Sequence, residues 1–373
     1  MKITDVEAIW LRVPALDQAC EWGEDALIVR IHTDTGLIGL GETDSSPAVV
    51  KALIETPASH ETCQGLRQVL IGENPLEIDR LWKKMYRSTE YMGRRGVAIH
   101  AISALDIALW DIAGQHYQVP VHTLLGGKYR DRIEAYGTFI PAATDEQNHA
   151  IVARLLSQGL RSIKLGGAGF GENLPRDAHI LRKIREQVGD EVQIQIDLVG
   201  RWLNSSHAMA QCNALREFNL GWIEEPLSSD DLRGLAYLAE HAGIPVSGGE
   251  GLATRHEFRA FLEGSRPAIV QPDITRCGGI SEMLHIYEMA QEYGARLVPH
   301  GFSTGILLAA TIHFLASREF GNLIEYSQSD SPLFRGLVKN LTPLENGSVK
   351  VSDTPGLGIV LDEDMVQRYR VRK

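Results

Sequence analysis

The chain has 373 residues, of which 44% are hydrophobic and 23% charged, and its formal net charge is −11. That length exceeds one ordinary hydrophobic core and predicts two structural units, or one barrel with an added domain. The negative balance without any Lys/Arg cluster excludes a nucleic-acid surface, and no run of about 18 apolar residues marks a membrane span.

The opening MKITDVEAIWL carries acids where a signal peptide needs an apolar core, so a cytoplasmic protein is expected. Cys20, Cys63, Cys212 and Cys277 form no CxxC pair and read as reduced, packed thiols. The runs ITDVEAIWLRV and ALIVRIHTDTGLIGLGE, the second folded at the Asp34-Thr35-Gly36 turn signal, predict an antiparallel meander. Helical periodicity follows in NPLEIDRLWKKMYR and in VAIHAISALDIALWDIAGQHY, and the second is apolar on most sides, as a core helix is. After Gly126-Gly127 the texture changes. Eight β-type runs alternate with amphipathic helical stretches: RIEAYGTFI, SIKLGG, VQIQIDL, WIEEPL, PVSGGE, AIVQPD, RLVPHG and LIEYS. Such alternation implies βαβ units with parallel strands, which close most naturally into a TIM-type barrel. GSVKVSDTPGLGIVLDED near the end reads as a hairpin that packs back on the N-terminal unit. The expected organisation is an α+β capping domain over 1–128, a barrel over 129–340 and a returning segment over 341–373.

The second to eighth runs each end at or beside one polar residue: Lys164, Asp197, Glu224, Glu250, Asp273, His300 and Glu325. Their spacings of 33, 27, 26, 23, 27 and 25 residues suit one βαβ repeat each. Residues two apart in a strand share a face, so Ile194 and Ile196 outward put Asp197 inward, and Ile163 and Leu165 outward put Lys164 and Gly166 inward. A lone acid at a strand end is more often the N-cap of the next helix, but independent capping does not favour seven polar residues in this order.

Three carboxylates on adjacent strands need a cation in a partly dehydrated site. Oxygen-only ligands favour Mg²⁺, with Mn²⁺ as the other candidate, over zinc. Glu224 is preferred to Glu225 because it shares the inward face, leaving Glu225 a supporting contact. Asp273 and His300 on neighbouring strands form a candidate base dyad. Glu325, if protonated, would donate to a developing oxyanion.

In family order, these elements resemble the enolase superfamily and its mandelate racemase-like subgroup, the mandelate racemase/muconate lactonizing enzyme family, of acid-sugar dehydratase type. The resemblance spans essentially the whole chain, through KxG, EEP, GGE, PD…GG, PHG and IEY and through SALDIALWDIAGQHYQVPVHTLLGG before the barrel. It implies a modified (β/α)7β barrel under a capping domain, with Asp197, Glu224 and Glu250 holding Mg²⁺ against a substrate carboxylate. It also implies that His300 and Asp273 are the base dyad, in a superfamily that generally joins a Lys or His base to Mg²⁺, and that Lys164 and Glu325 contact the carboxylate and the enolate formed from it. Two departures stand out: Gly166 occupies the position where many members carry a second lysine base, and Asp197-Leu-Val lacks an asparagine two residues after the first metal aspartate.

Racemisation needs bases on opposite faces, whereas β-elimination of water needs one. The leading expectation is therefore an acid-sugar dehydratase giving a 2-keto-3-deoxy acid, with a racemase, epimerase or lactone cycloisomerase as the alternative. A Schiff-base aldolase at Lys164 leaves the carboxylate trio unexplained, and a non-catalytic binding or scaffolding protein is the last alternative. The expected partner is a small sugar acid, with no nucleic acid or membrane, and the chain is expected to form a homo-oligomer. Asp17–Trp22 and Thr43–Ser46 are candidates for reading the substrate's far end.

Overall fold

The computed structural model describes residues 1–14, 24–167 and 169–372, so the candidate stretch Asp17–Trp22 lies outside the described residues. Strands β1 (Ile3–Arg12), β2 (Asp25–Thr33) and β3 (Ile38–Thr43) form the expected antiparallel sheet in sequence order. The helix Val97–Tyr117 lies against β3. It is long and apolar enough to cross a membrane, but it is mostly buried inside the protein. Gly39 and Gly41 make that contact possible, because a Cβ on either would collide with the carbonyl oxygens of Ala108 and Ala104, one helical turn apart. The two acids of this apolar helix act as bolts. Asp111 accepts the Leu40 N–H at 2.9 Å and the Leu357 N–H at 2.8 Å, and Asp106 accepts the Ser281 N–H at 3.0 Å and its hydroxyl at 2.6 Å. Burial pushes their carboxyls up, to about 6 for Asp111 and about 7 for Asp106.

The second unit is a parallel barrel of β4 (Arg132–Phe139), β5 (Ser162–Gly166), β6 (Gln193–Asp197), β7 (Leu220–Glu224), β8 (Val246–Gly248), β9 (Ile269–Val270), β10 (Arg296–Leu297) and β11 (Leu323–Ser327). Strands β4 to β10 pair in sequence order and β11 returns to β4, with helices from Asp145–Ser157 to Gly305–Ala316 between successive strands. This is the expected (β/α)7β arrangement. The ladders of β9 and β10 stop early because Pro272 and Pro299 have no N–H to donate.

The C-terminal segment divides. Strands β12 (Leu344–Glu345) and β13 (Ser348–Lys350) form a hairpin, but β13 pairs antiparallel with Arg132–Glu134 of β4 rather than with the N-terminal sheet. The physical reason is the length of β4. Its pairing with β5 begins only at Gly137, leaving its first residues an open edge that the hairpin covers. The chain then reaches the first sheet, with the Val371 N–H donating to the Trp10 carbonyl at 2.8 Å.

Glu42 of β3 joins the two units. Fully buried, it accepts from the Ser303 hydroxyl, the Thr304 N–H (3.0 Å) and hydroxyl (2.6 Å), and the Leu307 N–H (2.9 Å), at the N-terminus of the helix Gly305–Ala316. Its charge suits that positive helix end. Glu42→Ala leaves these buried donors unpaired and is expected to cost on the order of 3 kcal/mol. Urea unfolding followed by circular dichroism checks this, with a lowered midpoint expected.

Candidate active site

A cavity of about 530 Å³ opens where the capping unit meets the C-terminal ends of the barrel strands. Strand alternation aims Lys164 inward from the middle of β5, where it is 1% exposed. Asp197 and Glu224 end β6 and β7 in direct register, and Glu250 lies just past β8. One carboxylate oxygen from each of these three acids falls within 4.8 Å of the others. Lys164 Nζ lies 2.6 Å from Glu224 Oε1, 3.1 Å from Glu325 Oε1 and 3.5 Å from Asp197 Oδ2. The other oxygen of Glu224 accepts from Gln271 Nε2 at 2.6 Å and from Trp222 Nε1 at 3.1 Å.

Burial pushes two of these acids up, Asp197 to about 6 and Glu224 to about 8, with neighbouring carboxylates adding to the rise and Lys164 opposing it. At Glu250 burial is outweighed by the His300, Arg276 and Lys164 charges, which hold its carboxyl below the usual range. Buried oxygen donors under such mutual repulsion fit a hard divalent cation. Glu225 points elsewhere: it has a positive φ of 41°, and its carboxylate accepts from Ser229 Oγ at 3.3 Å.

Past the short ladders of β9 and β10, Asp273 and His300 meet through an isolated parallel bridge, and Asp273 Oδ2 lies 2.7 Å from His300 Nδ1. Asp273 Oδ1 is held by the Thr275 N–H at 2.7 Å and by its hydroxyl at 2.6 Å. This carboxylate orients the ring so that Nε2 faces the cavity, 3.3 Å from Glu250 Oε2. Burial alone would lower the imidazole, but the Glu250 charge and the Asp273 bond outweigh it and hold it at about 10.

Residues 21–126 match the model of the mandelate racemase/muconate lactonizing enzyme N-terminal domain, and residues 148–365 match the enolase C-terminal domain-like model. The chain belongs to the enolase superfamily, in its mandelate racemase subgroup. It is 30% identical over 357 residues to a D-galactarolactone cycloisomerase of Agrobacterium fabrum, covering 92% of this chain and 91% of that one. It is 31% identical to an L-rhamnonate dehydratase of Saccharopolyspora erythraea, covering 92% and 84% of the two chains. The fold is similar to that of a racemase from Streptomyces coelicolor A3(2) solved with bound magnesium, with a TM-score of 0.88 and 27% identity over 99% of this chain and 100% of that one.

Within this enolase-superfamily site, Glu325 differs from expectation. Burial raises its carboxyl, but the Lys164 ammonium, His300 and two hydrogen bonds outweigh that and hold it down to about 2. Both oxygens accept, one from the Thr138 hydroxyl (2.5 Å) and the other from the Gly301 N–H (3.0 Å), so Glu325 is a carboxylate rather than a proton donor. Gly166 also acquires a physical reason. A Cβ there would lie 2.6 Å from Asp197 Cβ and 2.7 Å from the Asp197 carbonyl oxygen, so the space for a second base is filled by the neighbouring strand.

Sequence reasoning missed Arg276. Its Nη2 pairs with Asp44 Oδ2 at 2.6 Å and its Nη1 with Glu250 Oε1 at 3.1 Å, linking the capping unit to the carboxylate cluster. The available signal was a lone arginine three residues after Asp273. Of the candidate stretch Thr43–Ser46, Asp44 and Ser45 line the cavity. Thr138 and His100 line it too, and neither carried a signal, since each sits inside an otherwise regular strand or helix pattern.

Proposed function

We propose that this protein is an acid-sugar dehydratase, a hydro-lyase that abstracts the α-proton of a sugar-acid carboxylate and eliminates the β-hydroxyl as water. The observation that carries this reading is the single oriented base. His300 Nε2 faces the cavity while Asp197 closes the position of Gly166, and Lys164 is enclosed by carboxylates that keep it an ammonium.

Asp197, Glu224 and Glu250 would hold Mg²⁺, which supplies charge neutralisation for the substrate carboxylate and for the negative charge that builds on it. Lys164 adds a fixed positive charge at the same end of the cavity. His300 Nε2, which faces the cavity while Asp273 holds the other ring nitrogen at 2.7 Å, would take the α-proton. Asp273 then stabilises the imidazolium. For syn elimination the same proton passes to the departing β-hydroxyl, so water leaves and the resulting enol tautomerises to the 2-keto-3-deoxy acid. No oxidant or second substrate is required.

Incubation with a panel of sugar acids and Mg²⁺, assayed for keto acid by semicarbazone absorbance, tests the reading. A keto-acid product is expected. Solvent deuterium incorporation at the α-carbon with no loss of water would reject dehydration in favour of an isomerase.

A further inference from the structure

We infer that the cavity selects sugar acids with one carboxylate, aldonates whose far end is uncharged, and discriminates against the corresponding diacids. The inference rests on the acid-sugar reading above and concerns the opposite pole of the same cavity. One pole holds Lys164 and the carboxylate cluster, where the reacting carboxylate belongs. The other is built by the capping unit, from Asp25 at the start of β2 and Glu24 just before it, whereas Asp44 lies beside the base dyad, one oxygen within 4.8 Å of atoms of Asp273 and His300.

A second substrate carboxylate would need a free cation at that far pole, and among the described residues the cations near the cavity are engaged: Arg12 Nη2 stands 3.6 Å from Glu24 Oε2. Six residues lining the cavity are acids (Glu24, Asp25, Asp44, Asp197, Glu250 and Glu325), against one arginine, Arg276. Every nitrogen of Arg276 already faces an acceptor. Nε donates to the Asp44 carbonyl at 3.0 Å, Nη2 and Nη1 bind Asp44 and Glu250, and Asp273 Oδ2 stands 4.0 Å from Nε.

His100 offers a hydrogen bond rather than a charge. Its Nδ1 lies 2.8 Å from Ser45 Oγ, and burial, aided by the Arg276 charge, lowers the imidazole to about 4. Among the described residues its Nε2 has no partner, which suits a substrate hydroxyl. Val199, Phe302 and Phe334 complete the wall with apolar surface.

An uncompensated carboxylate brought against Glu24 and Asp25 in a partly dehydrated cavity is disfavoured by both desolvation and like-charge repulsion. An uncharged hydroxymethyl or methyl terminus meets neither penalty.

The test uses the full Mg²⁺-loaded protein and six-carbon pairs that differ only at the far carbon: galactonate with galactarate, gluconate with glucarate. Both turnover to keto acid and α-proton exchange in heavy water are measured. At least one aldonate is expected to react, with kcat/KM at least about tenfold above that of its aldarate partner. An aldarate that reacts as well as or better than its aldonate overturns the inference while leaving the dehydratase reading intact. A panel in which neither class reacts or exchanges overturns the acid-sugar reading, and this inference with it. The double variant Glu24→Gln, Asp25→Asn is expected to narrow the preference; an unchanged ratio would remove these carboxylates as its cause.

Discussion

His300→Asn is expected to lower dehydration by roughly 10³-fold and to abolish exchange of the substrate α-proton in heavy water. The size follows from the geometry. His300 is held at Nδ1 by the buried Asp273 carboxylate at 2.7 Å, so that its other nitrogen faces the substrate space. Asparagine keeps a polar group of similar reach beside Asp273 but has no nitrogen basic enough to take a proton. Exchange is the decisive readout because it reports proton abstraction whether or not water is then lost. A variant that lost keto-acid formation yet retained exchange would place the base elsewhere and leave His300 only the acid role in elimination. Asp273→Asn should fall between the two, since it leaves the imidazole in place while removing the carboxylate that fixes its tautomer and stabilises its cation.

The sequence carried the inward ring of Lys164, Asp197 and Glu224 because strand period alone decides which residues face a barrel's interior. Those side chains are found there. Asp273 and His300 were also legible as neighbours, but they meet through an isolated bridge past ladders shortened at Pro272 and Pro299, with His300 lining the cavity and Asp273 buried behind it. What the sequence could not convey depends on groups that converge from far along the chain. Arg276 meets Asp44 across 232 positions, a contact that no local pattern announces. Burial raises the Glu325 carboxyl, but Lys164, His300 and Thr138, the last 187 residues away, outweigh it and favour the charged form, so its position was legible at the strand end and its charge was not. Gly166 shows a third kind of gap. Its missing side chain is visible in the sequence, whereas the reason, the close approach of Asp197, exists only once β5 and β6 are paired.

Glu224→Gln is expected to weaken Mg²⁺ binding at least about 100-fold and to remove turnover at low millimolar Mg²⁺, with calorimetric titration as the direct measurement. The neighbouring Glu225 makes this a sharp comparison, because the two acids are adjacent in sequence and of equal charge. Glu224 sits 1% exposed at the end of β7, with one oxygen on Lys164 and the other fixed by Gln271 and Trp222, so its carboxylate is oriented toward Asp197 and Glu250. Glu225 turns away at a φ of 41° toward Ser229. Glu225→Gln removes the same formal charge from the region but none of the clustered oxygens, and a much smaller loss of affinity is expected. Lys164 keeps Glu325 at 3.1 Å and Asp197 at 3.5 Å in the Glu224 variant, so thermal unfolding should report a folded protein and the lost affinity can be assigned to the ligand itself. Equal losses from the two variants would mean that long-range charge, rather than placement at the strand end, holds the ion, and the assignment of Glu224 as a ligand would fall.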